Sequence, residues 1–500
     1  MRLNCRVTPL EELTPLSALG ADLAAAHFSV EALTELWGSD AAAALHRGHR
    51  TPALRRLNSS TSLESLARLF VLGLRVDIRE IDKALPSLTA EGAVELGLID
   101  ADGNPLLDLR PYSFVDAHGV GSWWIASDLG ELSTGAALRE DHVLGVGGAS
   151  LTLSGLMLDR PVDSALDLGT GCGIQALHAS RYARRVVATD ISQRALDLAA
   201  FNAGLNDVHT IEFRLGSLFE PVEGERFDHI VSNPPFVITP RVEGVPTYEY
   251  RDGGMVGDAL VAAVVAGLPD HLAPGGIAQL LGNWEYRNQE DGLDRAAGWL
   301  AATGLGSWVI EREVQNVELY AETWIRDGGT RAGDEFDRLY GAWLDDFESR
   351  GVTAVGFGYL TLQEGSTLRR AERLDGPVSN GLGPHLSESL AAHDRLDELD
   401  DEALSRELLA VAPDVTEERH YWPGDEHPTV MTLRQGGGFQ RTVPLDTALA
   451  GLVGACDGEL SLRAIVAALA QLLEVDEAAL LADLLPGIRE LVFDGFLRFT

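Results

Sequence analysis

With 500 residues, 45% of them hydrophobic, the chain is long enough for about three domains with buried cores, which excludes a fibrous or wholly disordered protein. Its formal net charge of −37 argues against a broad basic surface for nucleic acid, and its three cysteines are too few for a disulfide framework. Because the first residues lack a signal-peptide pattern and no apolar run is long enough to span a membrane, we expect a cytoplasmic protein without a membrane partner.

The first predicted domain covers residues 1–120 and is mainly helical. Apolar residues recur at helical spacing from Glu11 to about Asn58, and the amphipathic run LESLARLFVLG ends at Gly73. A turn at Asp102-Gly103 then separates two strand-like runs. Helices followed by a hairpin are the outline of a winged helix, a module that binds DNA or docks proteins. Docking or dimerisation is favoured here because the nearby basic residues are few.

Residues 121–365 alternate short apolar strands with Ala- and Leu-rich helices, which is typical of an α/β fold. We expect a Rossmann-like, seven-stranded and mostly parallel sheet. The strands are predicted around residues 164–168, 185–189, 210–213, 227–231, 277–281, 308–310 and 355–360, with an inserted helix between the last two.

The remaining chain is predicted to form a connector over residues 366–395 and a final domain over residues 396–500. The acidic segment 394–426 is interpreted as a solvated face rather than a docking site. Two helical runs and a short strand pair follow it, which predicts a second winged-helix-like, mainly helical module. The sequence leaves the oligomeric state and the role of both terminal modules open.

A glycine-rich loop follows the first strand of the α/β region, in the run Asp167-Leu168-Gly169-Thr170-Gly171-Cys172-Gly173. Glycines let a backbone turn sharply and approach a ligand, and the next helix presents free N–H groups at its start. A dinucleotide fingerprint requires glycine where this chain has Ile174. The loop instead resembles motif I of the class I S-adenosylmethionine-dependent methyltransferases. That resemblance implies which residues bind S-adenosyl-L-methionine: Asp167, Gly169, Thr170, Gly171 and Gly173.

The next two strands end at further candidates for this cofactor site. The first of them ends at Asp190, whose carboxylate can accept hydrogen bonds from both ribose hydroxyls or can simply cap the following helix. After the third strand, Ser217 stands where the family usually has an acid near the adenine ring, although a backbone N–H there could still recognise adenine. We therefore expect four more residues in the site: Asp190, Ile191, Ser217 and Leu218.

The fourth strand runs into a stiff corner, Asn233-Pro234-Pro235-Phe236. The corner resembles the Asn/Asp-Pro-Pro-Tyr/Phe motif of methyltransferases that act on planar nitrogens. The Asn233 side-chain oxygen and the Pro234 carbonyl can hold two N–H bonds and stabilise the positive charge that grows on an attacking nitrogen. Phe236 is expected to stack on the flat substrate. All four corner residues are predicted to be catalytic, and Asn233 also faces the cofactor.

The identity of the acceptor is the least constrained prediction. The residues from Phe236 to Pro240 and from Tyr250 to Gly254 are similar to the branch that modifies glutamine, so a protein or peptide amide is favoured. The alternatives are an adenine or guanine amine in nucleic acid and, after that, a small molecule. A hypothesis of another class is a cofactor-binding adaptor with little turnover, against which the intact Asn233 argues.

Histidines in this region do not suggest a metal. His142, His178 and His209 lack the spacing of metal ligands, so no metal is expected. The segment from His142 to Ser150 looks like one that closes over the cofactor in related enzymes, with a surface glycine loop as the alternative.

Overall fold

The computed structural model describes residues 14–135, 138–158, 160–378 and 381–500. The segment before residue 14, which carries Cys5 and the expectation of no signal peptide, lies outside the described residues. Among the described helices, none has the length and apolar character needed to cross a membrane. The described chain forms an N-terminal unit, a central α/β domain and a C-terminal unit.

The N-terminal unit consists of helices and one hairpin. Its helices are α1 (Pro15–Ala25), α2 (Val30–Trp37), α3 (Ser39–His46), α4 (Thr51–Leu54), α5 (Ser62–Leu66), α6 (Ile78–Ala84) and α7 (Thr89–Glu95), with a π-helical turn at Ala67–Val71. The hairpin pairs β1 (Leu107–Asp116) antiparallel with β2 (Gly119–Asp128).

The hairpin lies later in the chain than the sequence suggested. Asp102-Gly103 does form a turn, but it links only an isolated bridge between Ile99 and Pro105. Gly103 is required there because its φ is 80° and a Cβ would lie 2.2 Å from the Val76 carbonyl oxygen. The predicted domain boundary at residue 120 therefore falls inside β2.

The central domain contains a large mixed sheet covered by helices. Its strands are β3 (Val162–Leu168), β4 (Ala183–Asp190), β5 (Ile211–Leu215), β6 (Phe227–Ser232), β7 (Leu272–Arg287), β8 (Gly306–Asn316), β9 (Val352–Gln363) and β10 (Arg369–Arg373). Its helices are α8 (Glu131–Thr134), α9 (Gly148–Leu156), α10 (Ile174–Ala179), α11 (Gln193–Leu205), α12 (Ala259–His271), α13 (Gly292–Ala302), α14 (Val317–Asp327) and α15 (Asp334–Ser349), with a 3-10 turn at Glu220–Val222. The strand order is β10-β8-β9-β7-β6-β3-β4-β5.

The sheet is mostly parallel, as expected, but within the described residues it has eight strands rather than seven. Only β9 is antiparallel to its neighbours, β7 and β8. The additional strand, β10, pairs parallel with β8 and comes from the predicted connector. Its sequence RRAER has no apolar run. This strand lies at the edge of the sheet and is held by ion pairs instead, in which Arg373 donates to Glu311 and Arg441 donates to Glu372. The connector prediction is therefore wrong for these residues.

The C-terminal unit begins within the predicted connector, with α16 (Gly383–Glu398). It continues with α17 (Asp401–Arg406), β11 (Leu408–Val411), β12 (Val415–His420), β13 (Val430–Gln435), β14 (Thr442–Leu445), α18 (Thr447–Ala455), β15 (Asp457–Ser461), α19 (Leu462–Leu473), α20 (Glu477–Phe493) and β16 (Leu497–Phe499). Two three-stranded sheets form, in the orders β15-β11-β16 and β12-β13-β14. The acidic segment is folded, because Leu396, Leu404 and Leu409 enter the core of this unit.

The N-terminal unit and the central domain share one hydrophobic core. Phe28 and Trp123 of the N-terminal unit are buried in the same cluster as Cys172, Ile174 and Leu198 of the central domain. The shared core places β1 and β2 against α10 and α11, the two helices that follow the glycine loop and Asp190. The N-terminal unit therefore lies directly behind the predicted cofactor site.

Candidate active site

A cavity of about 500 Å³ lies at the carboxyl ends of β3, β4, β5 and β6. This is the edge at which open α/β sheets bind their ligands. The residues predicted from sequence that line it are Asp167, Gly169, Thr170, Gly171, Asp190, Ile191, Ser217, Leu218, Asn233, Pro234 and Pro235. Gly173 and Phe236 are not among the lining residues.

Asp167, near the end of β3, fixes the conformation of the glycine loop through hydrogen bonds. Its Oδ2 accepts hydrogen bonds from the Thr170 hydroxyl at 2.6 Å and from the Ala176 backbone N–H at 2.9 Å. The side chain is 1% exposed, and this burial raises the pKa of the Asp167 carboxyl to about 7. Asp167 thus ties the loop to the start of α10 and titrates near neutral pH.

Asp190 holds the same loop from the neighbouring strand. Its Oδ2 accepts from the Gly171 backbone N–H and its Oδ1 from the Ser192 backbone N–H, each at 2.9 Å. Asp190 is not the N-cap of α11 that the sequence also allowed: the N-cap is Ser192, whose N–H donates to Asp190. A carboxylate has about four acceptor positions, so each oxygen can still accept from a ligand hydroxyl. Burial raises the pKa of Asp190, as it does for Asp167.

Beside Asp190, the cavity wall changes from polar to apolar. Ile191 lines the cavity and is 61% exposed, which is high for an isoleucine. Ser217 and Leu218 face the same space, and Leu218 has a φ of 48°, a left-handed conformation that is uncommon for a bulky residue. Carboxylate acceptors beside an apolar wall suit a ribose that carries a flat ring.

Gly173 supports the loop from behind rather than lining the cavity. It has a φ of 88°, and a Cβ there would lie 3.0 Å from the Cβ of Ala199 on α11. Glycine is therefore needed for the close packing of α10 against α11. The sequence motif alone does not distinguish a glycine that contacts a ligand from one that lets two helices pack closely. Gly173 does not line the cavity, and its role is to allow this helix packing behind the loop.

The diproline corner leaves an acceptor free at the cavity. The Asn233 side-chain oxygen is buried and has no hydrogen-bond partner among the described residues. Leaving such an oxygen unpaired costs about 1–3 kcal/mol, which a ligand N–H would recover. Gly253 approaches this corner so closely that a Cβ would lie 2.8 Å from the Pro235 carbonyl oxygen.

Phe236 points into the core instead of the cavity. Its ring centroid lies 6.4 Å from those of both Trp324 and Phe357, at interplanar angles of 78° and 82°. Trp324 belongs to α14, part of the insertion between β8 and β9. The predicted stacking of Phe236 on the substrate does not match this position, because edge-to-face packing inside the protein uses the ring.

Two segments outside the predicted site residues form another wall of the cavity, and the first overlaps the segment from His142 to Ser150, for which the sequence suggested either closure over the cofactor or a surface glycine loop. Residues from Glu140 to Gly145 other than Asp141, and from Thr247 to Met255 other than Arg251, line it. The Glu249 N–H donates to the Glu140 carbonyl oxygen at 2.9 Å. The rings of His142 and Tyr250 lie 5.7 Å apart. The signals available were the resemblance of the segment after His142 and of the Tyr250 to Gly254 run to related enzymes.

Comparisons with known proteins agree with this geometry. Residues 147–247 match the family described as methyltransferase small domain, whereas residues 25–110 and 389–499 match two families described only as domains of unknown function. The release factor glutamine methyltransferase of Xylella fastidiosa is 40% identical over 146 residues, which cover 27% of this chain and 52% of that enzyme. A protein from Methanocaldococcus jannaschii, named for protein N5-glutamine methyltransferase activity, is 35% identical over 135 residues, 26% of this chain and 68% of that protein. The chain belongs to the class I S-adenosylmethionine-dependent methyltransferases.

This methyltransferase spans about half the length of the first curated relatives it matches. The ribosomal protein uL3 glutamine methyltransferase of Bradyrhizobium diazoefficiens is 34% identical over 151 residues, covering 28% of this chain and 46% of that enzyme. Among solved structures, the YcgJ protein of Bacillus subtilis aligns with a TM-score of 0.30 and 15% identity, covering 43% of this chain and 97% of that one. A ribosomal protein L11 methylase from Lactobacillus delbrueckii aligns with a TM-score of 0.25 and 21% identity, covering 43% and 80%.

The residues of the cavity fit S-adenosylmethionine. Asp190 offers acceptors for ribose hydroxyls, and Ile191 and Leu218 offer apolar surface for adenine. The lining also carries more acidic than basic side chains, which suits a ligand with a positively charged sulfur. The unpaired Asn233 oxygen remains for the group that accepts the methyl.

Replacement of Asp167 by asparagine is expected to change how the stability of the methyltransferase depends on pH. An acid whose pKa is raised on folding keeps its proton where the unfolded chain has lost it, so the folded state loses stability as pH rises from about 4 to about 7. The substituted amide keeps an oxygen for both bonds now made by Oδ2 of Asp167 but does not titrate. The melting temperature of Asp167→Asn relative to the native protein should therefore increase between about pH 5 and pH 8.

The control for this measurement is Asp163→Asn, whose side chain is 78% exposed. Its melting temperature should follow that of the native protein over the same pH range. A difference between Asp167→Asn and the native protein that stays constant with pH would contradict the elevated pKa.

The packing of Phe236 leads to a second expectation. Phe236→Leu should lower the melting temperature by about 2–4 °C, the effect of about 1 kcal/mol in a domain of this size. The KM for the acceptor should change by less than about three-fold, because the ring is directed towards Trp324 and Phe357. Steady-state kinetics that show a rise in KM of about ten-fold with an unchanged melting temperature would restore the stacking role.

Proposed function

We propose that this methyltransferase transfers the methyl group of S-adenosylmethionine to the side-chain amide nitrogen of a glutamine in a protein. The observation that carries the proposal is the buried Asn233 oxygen, which has no hydrogen-bond partner in the described part of the chain, at a rigid corner beside the glycine loop. When bound, S-adenosylmethionine supplies an electrophilic methyl group on a positively charged sulfur. The residues of the chain then have to make a poor nucleophile reactive.

The diproline corner supplies that help. The nitrogen of an amide is weakly nucleophilic because its lone pair is delocalised into the carbonyl. The Asn233 Oδ1 and the Pro234 carbonyl oxygen can each accept one of its N–H bonds and stabilise the positive charge that grows as the N–C bond forms and the S–C bond breaks. One proton is lost to solvent afterwards, so no strong base is needed. Pro234 and Pro235 keep the two acceptors in place because their φ angles are fixed.

A polypeptide acceptor is supported by charge and by the relatives. The net charge of −37 repels a polyanion, and Glu140 and Glu249 are exposed at the cavity. The printed names of several relatives specify glutamine in a release factor or a ribosomal protein. An exocyclic amine of adenine or guanine has the same planar nitrogen and is the alternative acceptor.

The terminal units have a proposed role in holding that polypeptide. We interpret both as winged-helix-like modules that dock proteins, because each combines helices with a small antiparallel strand arrangement. The proposed location is the cytoplasm, where free thiols such as those of Cys172 and Cys456 stay reduced.

The test of the proposed function is labelling of a cell lysate with a radioactive methyl donor. Label that protease removes and nuclease leaves, recovered as N5-methylglutamine after digestion, supports the proposal. Label that only nuclease removes would show that the methyl acceptor is a nucleobase and not glutamine. The full-length Asn233→Ala protein is the control for background, and equal labelling by both proteins would support the adaptor hypothesis.

A further inference from the structure

Asn202 connects the N-terminal unit to the cofactor loop. It lies on α11, and its side chain is 0% exposed. Its Oδ1 accepts from the Ala126 N–H at 2.7 Å, and its Nδ2 donates to the carbonyl oxygens of Ala126 and Cys172, each at 2.9 Å. Ala126 is on β2 of the N-terminal hairpin, and Cys172 is in the glycine loop.

The glycine loop is thus held at three consecutive places by three different elements. Thr170 is bonded to Asp167 at the end of β3, and Gly171 is bonded to Asp190 at the end of β4. Cys172 is bonded to Asn202, which is itself fixed by an outside strand. A carbonyl turned towards Asn202 cannot turn into the cavity, so this bond fixes the direction of the peptide between Cys172 and Gly173.

The rest of the hairpin also contacts α10, the helix that begins at the loop. The Tyr112 hydroxyl lies 2.9 Å from Nε2 of His178, and Arg181, two residues after the end of α10, donates to Asp116 at 2.8 Å. The rings of Phe114 and Trp123 lie 4.8 Å and 4.9 Å from that of His178. The N-terminal unit therefore supports both the loop and the helix that follows it.

We propose that Asn202 is a positioning residue through which the N-terminal unit sets the geometry of the cofactor loop. The inference rests on the proposed function, since it assumes that the loop binds the methyl donor. It predicts that the N-terminal unit contributes to cofactor affinity, although none of the described residues of this unit lines the cavity.

Asn206 provides a matched control one turn further along α11. Its Oδ1 accepts from the Trp124 N–H at 2.9 Å, and its Nδ2 donates to the Trp124 and Asn202 carbonyl oxygens, each at 2.8 Å. It therefore makes the same type of bond to β2 as Asn202 does. The difference is that none of its recorded hydrogen bonds reaches the glycine loop.

The experiment compares full-length Asn202→Ala and Asn206→Ala by calorimetric titration with S-adenosylhomocysteine and by thermal unfolding. Both variants should melt at lower temperature than the native protein, because both lose bonds between α11 and β2. The Kd should rise about ten-fold or more for Asn202→Ala and stay within about two-fold of native for Asn206→Ala. If Asn202→Ala does not fold, Asn202→Asp replaces it, since aspartate keeps the acceptor for Ala126 but loses the donor to Cys172.

Each outcome tests either the positioning role of Asn202 or the proposed function. A rise in Kd confined to the Asn202 variants supports the positioning role, because loss of stability alone would affect both sites alike. Native-like affinity in a folded Asn202 variant, or equal loss in both variants, overturns the positioning role. A native protein that does not bind S-adenosylhomocysteine overturns the proposed function, and the inference with it.

Discussion

Replacing Asn233 by alanine is expected to lower kcat by about 100- to 1000-fold, the loss seen when one group that stabilises transition-state charge is removed. The substituted side chain has no acceptor oxygen, so one N–H bond of the attacking amide is left unpaired as its charge grows. The Kd for S-adenosylhomocysteine should stay within about three-fold of native, because the interaction is made with the acceptor. Single-turnover methyl transfer to the polypeptide that the native protein labels measures the first quantity, and calorimetry measures the second.

The graded variant for this prediction is Asn233→Asp. It keeps an acceptor oxygen at the corner, so its kcat should lie between those of the native and alanine proteins. A kcat for Asn233→Ala within about five-fold of native would remove the corner from the mechanism. A loss of S-adenosylhomocysteine affinity as large as the loss of kcat would assign Asn233 to the cofactor.

Substitution of Asp190 by alanine should weaken binding of S-adenosylhomocysteine by about 100-fold or more. Hydrogen bonds to a charged group contribute about 1.5–3 kcal/mol each, and the carboxylate has room for two from the ribose. The same substitution removes the partner of the Gly171 N–H, so the loop loses one of its fixed points. Calorimetric titration of the full-length variant gives the affinity directly.

Asp197→Ala is the matched control for charge. It removes one carboxylate from α11, the helix that begins just after Asp190, but Asp197 is exposed and outside the cavity lining. Its Kd should equal that of the native protein within about two-fold. If Asp190→Ala binds as well as Asp197→Ala, Asp190 serves only to hold the backbone through its bonds to Gly171 and Ser192.

The central fold could be predicted because its strands are buried on both faces. Strands β3, β4 and β6 each bury four consecutive residues, and crossover helices separate them, so pattern and spacing agree. β10 could not be found in this way, because a charged edge strand is stabilised by partners far away in sequence. Glu372, for example, bonds Arg441 of the C-terminal unit.

The candidate site likewise combines positions that the local sequence predicts with contacts that it does not. Asp167, Asp190 and Asn233 stand at strand ends, and parallel topology brings strand ends to one edge, so their proximity follows from local pattern. The orientation of Phe236 depends on Trp324, which follows it by 88 residues (324 − 236), and no local signal specifies that contact. The wall formed by Glu140 and Glu249 likewise depends on one backbone bond between distant segments.

The hydrophobic core shared by the hairpin and the helices behind the glycine loop limits how this protein can be divided. A fragment that starts at residue 121 would separate β2 from β1 and uncover Trp123 and Ile125 together with the apolar face of α10. Such a surface favours aggregation over catalysis. Residues 14–120 and the methyltransferase domain therefore have to be expressed and engineered as one piece, even though separate family descriptions divide them.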